Sequence, residues 1–349
     1  TSSVTHARQI DLDLRRFEEF KNFANKIWNG SRFVFLNLEG LTEEDLTNGI
    51  DPAELTLEDR WILSVLGRTT TELNKTLAAY MFDRAATRAY EFFWNDFCAV
   101  YVELAKPVLF GKTGSPKAKA NKQKLLVILL SNAVRLMHPI APFITEEIFS
   151  LLKAQFPSAA DTSCVYMQET IMALRSPACI KAPYPTVLQE SDIDPKTEAT
   201  FERMNEFVRV IRNLRAEMQI PPQEKTDLII AGEKGEEWNM LHKHQGMLLA
   251  LTPTGSITFS HEPQETFGAS YLVGSLKFII PLSEQLRARE RARIEKELEK
   301  AQKLLDSTRA KLNNEEFRAK APREVVEKLE NAERQTNAQI AEMLQKIRD

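Results

Sequence analysis

The chain has 349 residues, 43% of them hydrophobic, 8% aromatic and 27% charged, with a formal net charge of −3. This is the composition of an ordinary globular protein, and the length predicts two or three domains, each able to bury a core. No apolar run approaches the roughly 20 residues that cross a bilayer, and the opening TSSVTHARQIDLDLRRFEEF lacks the basic-then-apolar layout of a secretory signal.

Residues 7–38 are predicted to be a helix, because Ile10, Leu14, Phe17, Phe20, Phe23, Ile27 and Phe33 recur at the spacing of one helical face. The abrupt start suggests a chain that begins inside a larger protein. Gly40, Asn48, Gly49 and Pro52 mark a loop. Thr56, with Asp59 three positions on, opens a second helix that carries Trp61, Leu63, Leu66, Leu73 and Leu77. A third helix follows Phe82, is dense in aromatic residues from Tyr90 to Tyr101, and should stop at Pro107. GKTGSPKAKAN (111–121) reads as a polar, basic linker, and further helices are expected over about 122–137 and 144–156. Helices of this length on short connections predict a bundle over 1–156.

Residues 157–197 are rich in Pro and Ser and read as irregular. Helical spacing returns over 198–219, completing a 157–222 connection that ends at Pro221-Pro222. Within 223–282, Asp227–Ala231, Ser256–Phe259 and Leu276–Ile280 look like strands around a helix of about 236–251, so a small α/β module is expected. In 283–349 two heptad threads appear: Ile294, Leu298, Ala301, Leu305, Thr308 and Leu312, then Val326, Leu329, Glu333, Thr336, Ile340, Met343 and Ile347. The break at Asn313-Asn314 and Pro322 argues for an antiparallel helical hairpin about 45 Å long. Glu333 is out of place in such a seam. The expected class is thus mainly α: a helix bundle, a small α/β module and a C-terminal coiled-coil hairpin.

The chemistry-bearing residues are sparse. Cys98, Cys164 and Cys179 stand far apart, no Cys/His grouping has zinc-site spacing, and free thiols fit a reducing cytoplasm. No phosphate loop, dinucleotide fingerprint, HExxH or nucleophile-and-base pattern occurs. His138 at a helix break reads as structural, and the neighbours Glu146 and Glu147 as a solvated pair, since adjacent helical residues do not share a face. What remains is binding. Residues 22–33 (NFANKIWNGSRF) put Asn22, Lys26 and Asn29 on one face and Phe23, Ile27 and Phe33 on another, a mixture that suits single-stranded RNA, although composition alone favours a bundle helix with solvated polar residues. From Leu282 onward 16 Lys+Arg stand against 14 Asp+Glu, a local balance of 16 − 14 = +2, with Arg287, Arg289, Arg291 and Arg293 together. Such a cluster either grips phosphates or solvates a coiled-coil face.

Five segments in order resemble class I aminoacyl-tRNA synthetases of the valine, isoleucine and leucine group: NFANKIWNGSRF (22–33), DRWIL (59–63), YEFFWNDFC (90–98), HPIAPFITEEI (138–148) and IRNLRAEMQIPP (211–222). They look like marks of that group's α-helical anticodon-binding domain. The hairpin-tip segment EEFRAKAPREVVEKLE (315–330) and the lack of a cysteine zinc site resemble the valyl branch. The resemblance implies tRNA(Val) as partner, with no membrane or DNA, a monomeric cytoplasmic protein, and ATP and Mg2+ as requirements of the whole enzyme. It also implies that Asn25, Lys26, Asn29 and Arg32 lie near the anticodon stem or loop, and that Arg287, Arg291 and Arg293 touch the tRNA backbone. The HIGH and KMSKS signatures and an editing domain are absent from this sequence, so the chain is not expected to charge tRNA alone. Phe97-Cys98-Ala-Val-Tyr101 departs from the Cys-Asp-Trp-Tyr more usual in the family. A protein-interaction scaffold, and the equivalent fragment of an isoleucyl or leucyl enzyme, stay open.

Overall fold

The three-and-four spacing at the start of the chain produces α1 (Arg15–Asn37), which buries Ile27 and Val34. The computed structural model describes residues 15–261, 268–281, 284–313 and 323–348, so the predicted helical residues 7–14 lie outside the described residues. Two units result: residues up to 208 together with 246–251, and 209–245 together with 252 onward.

The first unit is a helix bundle. After α1 come the short α2 (Glu43–Thr47), α3 (Leu57–Ala78), α4 (Phe82–Glu91), a π-helical stretch Phe92–Tyr101, α5 (Val102–Leu109), α6 (Pro116–Met137), α7 (Pro142–Gln155) and α8 (Val165–Leu174). The first half of α9 (Pro195–Glu217) also belongs to it. The core is centred on α6, in which every residue from Asn121 to Met137 is buried. Trp61 of α3 stacks on Phe201 of α9 at 3.9 Å, and Ser64 Oγ donates to Glu198 at 2.6 Å.

Four expectations need correction. The loop from Gly40 to Pro52 contains α2, opened by a capping box between Thr42 and Asp45. Pro107 does not stop its helix: α5 runs two residues further and ends in a left-handed cap, with Gly111 at φ 68° and Lys112 N donating to the Pro107 carbonyl at 2.8 Å. Proline gives up the bond of its own N–H and crowds the carbonyl four residues back, but only Val108 and Leu109 follow it in the helix, so little of the hydrogen-bond ladder is at stake. The 111–121 linker is helical from Pro116, because Ser115 caps the first turn by accepting from Ala118 N at 3.0 Å and proline suits the first helical position. The segment 157–197 is not all irregular but contains α8.

Gly30 of α1 marks a close approach. A Cβ there would lie 2.7 Å from Cys98 Sγ and 3.3 Å from the Phe93 ring in the π-helical stretch. Overpacking costs about 1–3 kcal/mol, more than the roughly 0.5–1 kcal/mol that replacing a mid-helix glycine returns. Gly30→Ala is therefore expected to lower the urea midpoint, and adding Cys98→Ala to restore it. An unchanged or raised midpoint for the single variant would show that the helices have room to part.

In the second unit the sheet order is β2-β1-β4-β3. Strand β1 (Thr226–Ala231) pairs in parallel with β2 (Thr254–Ser260); α10 (Glu236–Lys243) follows β1, and α11 (Gln245–Leu251), which precedes β2 in the chain, is grouped with the first unit. The expected single helix over 236–251 is thus two, broken at His244. β4 (Leu276–Pro281) runs antiparallel to β1 and to β3 (Gly268–Val273). β3 was not expected, because its Gly-Ala-Ser start hides the strand pattern.

The last element is a helical pair, α12 (Glu284–Leu312) packed against α13 (Arg323–Arg348). Ile294, Leu305, Thr308 and Leu312 are buried on α12, as is Thr336 on α13. Glu333 fits the seam by reaching across it, where its carboxylate meets Arg309 Nε at 2.8 Å. The tip residues 314–322 and the side chains of Met343 and Ile347 lie outside the described residues.

Candidate nucleic-acid interface

Helix α1 has two unlike faces. Ile27, Ser31 and Val34 point into the bundle. On the other side Asn25, Asn29, Arg32 and Leu36 follow one another by four, three and four residues, all exposed, with Trp28 between them. Trp28 is 43% exposed and Leu36 66%, values that leave an indole face and an apolar edge open to a partner beside two amides and a guanidinium. The structure therefore puts Asn25, Asn29 and Arg32, three residues nominated by the family resemblance, on a single surface, whereas helical spacing had grouped Asn29 with Asn22 and Lys26. Lys26 departs from it. Its ammonium sits over the Trp94 ring, 5.0 Å from the centroid, where Trp94 stacks on Tyr90 and Phe23 leans on both. A cation held over an indole is partly committed to that contact, so Lys26 borders the stripe.

Two contributors escaped the sequence reading. Trp28 could have been found, since it stands three residues after Asn25 and four before Arg32 on a polar face. Phe110 could not. It is 54% exposed at the end of α5 and meets Phe33 of α1 edge-on at 6.4 Å, with Lys106 Nζ 5.7 Å from the Phe33 ring. Only the packing of α5 beside α1 brings it near the stripe.

On the arm, Arg291 is exposed and its Nε lies 3.3 Å from Glu295 Oε1 one turn on. Arg287 and Arg293 belong to α12, but their side chains lie outside the described residues.

The remaining reactive groups are held in structural roles. Burial pushes the Cys98 and Cys179 thiols up to about 12, which keeps them protonated and poor nucleophiles at neutral pH. His138 Nδ1 lies 2.8 Å from Thr145 Oγ1, which itself donates to the Ala141 carbonyl, so the imidazole secures the break between α6 and α7. It borders a cavity of about 400 Å³ lined mostly by apolar atoms of Pro139, Pro142, Ile180 and Tyr184. Glu146 is more than a solvated neighbour of Glu147: its carboxylate accepts from Cys179 N at 2.9 Å. Among the described residues no grouping of three or more His, Cys, Asp or Glu could hold a metal ion, and no helix is long and apolar enough to cross a membrane.

Residues 59–230 match the family model described as the anticodon-binding domain of tRNA ligase. Residues 288–349 match the one described as the valyl tRNA synthetase tRNA binding arm. The chain is 46% identical over 358 residues to a valine–tRNA ligase of Protochlamydia amoebophila (strain UWE25), covering 99% of this chain and 38% of that protein. It is 36% identical over 348 residues to that of Chlamydia felis (strain Fe/C-56), covering 99% and 37%. It therefore spans little more than a third of the length of these relatives. Helix α1 precedes the residues matched by the anticodon-binding model but lies within the stretch shared with the relatives.

Proposed function

We propose that this chain, which belongs to the valyl-tRNA synthetase family as its C-terminal, tRNA-binding part, holds tRNA(Val) at two places with different tasks. The reading is supported most by one observation, the open face of α1. There Asn25, Asn29 and Arg32 offer hydrogen-bonding groups beside an exposed indole, which suits unstacked bases of an anticodon loop. Lys26 stands at its edge. The arm supplies backbone contacts that fix the RNA's position, while base contacts on the bundle choose it. The chain is further proposed to act as a monomer in the cytoplasm, with four parts (1–156, 157–222, 223–282 and 283–349), and to present the tRNA to a catalytic portion that uses valine, ATP and Mg2+ as in a whole valine–tRNA ligase.

The test is a salt-titrated binding series with tRNA(Val), tRNA(Ile) and an anticodon-changed tRNA(Val). Tight binding of tRNA(Val) with weaker binding of the other two is expected. No binding by any of the three at low salt would instead support a protein-interaction scaffold. A preference for tRNA(Ile) would assign the chain to a sister specificity.

A further inference from the structure

The described basic residues of α12 fall into two groups that the sequence alone ran together. Some are neutralised in place. Arg309 reaches across the seam to Glu333 at 2.8 Å and to Asn337 at 3.3 Å, and Arg291 is paired with Glu295. Others are held open: Lys296, Lys300 and Lys311 are exposed and have no described carboxylate partner. Lys303 is exposed too and meets Glu299 Oε1 at 2.6 Å.

The three open lysines and the paired Lys303 share one side of α12. At about 100° per residue, Lys296, Lys300, Lys303 and Lys311 fall within an arc of roughly 80°, with Ser307 among them and no carboxylate. The seam residues Ile294, Leu305, Thr308 and Leu312 centre roughly 140° away. Lys296 to Lys311 spans about 22 Å along the axis. Arg291 and Arg309 lie off this line, on a flank of the seam, and that is where their carboxylate partners are. A mixed-charge coiled coil that needed only solubility would scatter its cations among its acids. Here unpaired cations are collected on the face farthest from the partner helix.

Resting on the tRNA reading above, we propose that this outward lysine line of α12, and not Arg291, is the phosphate-gripping face of the arm. Ammonium groups gathered on one helix face, three of them without a described carboxylate partner, fit a run of backbone phosphates, a contact blind to sequence and steep in salt. Lysine suits this task as a mobile point charge that demands no fixed geometry.

The experiment measures binding of the 349-residue chain to a tRNA(Val) transcript between 50 and 200 mM salt, for the unaltered chain, Lys296→Gln/Lys300→Gln/Lys311→Gln and Arg291→Gln. Each lost phosphate contact lowers the slope of log K against log salt by about 0.7–0.9, so the triple variant should lose roughly 2–3 units of slope. Its affinity should fall by the same factor for tRNA(Val) and for an anticodon-changed tRNA(Val). Arg291→Gln should keep the original slope. All the substituted residues are exposed, and unchanged circular dichroism verifies that the hairpin survives. A triple variant with unaltered slope, or an Arg291→Gln slope lowered as much as the triple's, overturns the assignment of the face while leaving the tRNA reading intact. Absence of binding by the unaltered chain at the lowest salt overturns both.

Discussion

Lys122→Met is expected to destabilise the bundle by about 3–5 kcal/mol, the range for breaking one side of a buried ion pair. In α6 the Lys122 ammonium lies 2.6 Å from Asp59 Oδ1 and 3.0 Å from Glu58 Oε1, and donates to Thr56 Oγ1 at 3.0 Å. Tyr101 adds a fourth arm, its hydroxyl donating to Asp59 Oδ1 at 2.8 Å. Lys122 is 2% and Asp59 1% exposed, which takes the pair out of the class of surface bridges worth 1 kcal/mol or less. Burial pushes the Glu58 carboxyl up, yet the Lys122 charge and the Thr56 hydroxyl outweigh it and hold the group below its ordinary value. Burial, reinforced by Asp59, raises the Tyr101 phenol well above its usual range. Methionine keeps the volume but strands a carboxylate that also receives Thr56 N at 3.0 Å at the start of α3. The loss should appear as a melting point lower by on the order of 10 °C and a lower urea midpoint. Lys122→Met/Asp59→Asn should cost less than the two single changes added together, because each already removes the shared interaction. Simple additivity, or a single cost under about 1 kcal/mol, would contradict a buried, coupled cluster.

The second large effect is expected at Arg135, also on α6. Its guanidinium forms a two-pronged pair with Glu169 of α8, one arm at 2.8 Å, and donates to the carbonyls of Pro183 at 3.0 Å and Ser131 at 3.1 Å. Arg135 is 2% exposed, so Arg135→Met leaves Glu169 facing the bundle without its cation and should cost about 3–5 kcal/mol. Because these bonds run to α8 and to the stretch around Pro183, hydrogen exchange should quicken across 165–188 more than in α3 or the core of α6. Adding Glu169→Gln should recover part of the stability by removing the stranded charge. A variant as stable as the parent, or one whose exchange quickens uniformly, would show that this side chain does not pin that segment.

Arg135 and Lys122 also show where sequence reading stopped. The bundle helices, the hairpin and its seam were legible because each rests on local periodicity. α8 was not, because VYMQETIMAL is short and sits between Ser- and Pro-rich stretches, and its strongest anchor is Glu169 meeting Arg135, 34 residues away in the chain. The start of α6 was misjudged for a related reason: Lys117 and Lys119 read as part of a polar linker and the helix was expected only from about Lys122, yet α6 begins at Pro116, and Lys122 and Lys124 are buried, the latter donating to the Gly49 carbonyl at 2.7 Å. At the candidate interface spacing grouped Asn22, Lys26 and Asn29, and only the family resemblance brought in Asn25 and Arg32. Diversion of Lys26 onto Trp94, and the approach of Phe110 to Phe33, depend on which helices become neighbours. On the arm, sequence could show that arginines cluster, but only the seam's orientation separates the open lysine line from the paired Arg291.

The central claim is that the bundle chooses the tRNA while the arm holds it. It is tested most directly by the ratio of affinities for tRNA(Val) and an anticodon-changed tRNA(Val), measured at one salt concentration for the unaltered chain and for Asn29→Ala/Arg32→Ala. Both side chains are exposed and outside the core, so thermal stability should be unchanged. Loss of base-edge contacts worth about 1–3 kcal/mol each should shrink the ratio by roughly tenfold or more while the salt slope stays where it was. A ratio that survives the double substitution, or a fall in salt slope with no change in preference, would contradict the division of labour assigned to these two surfaces.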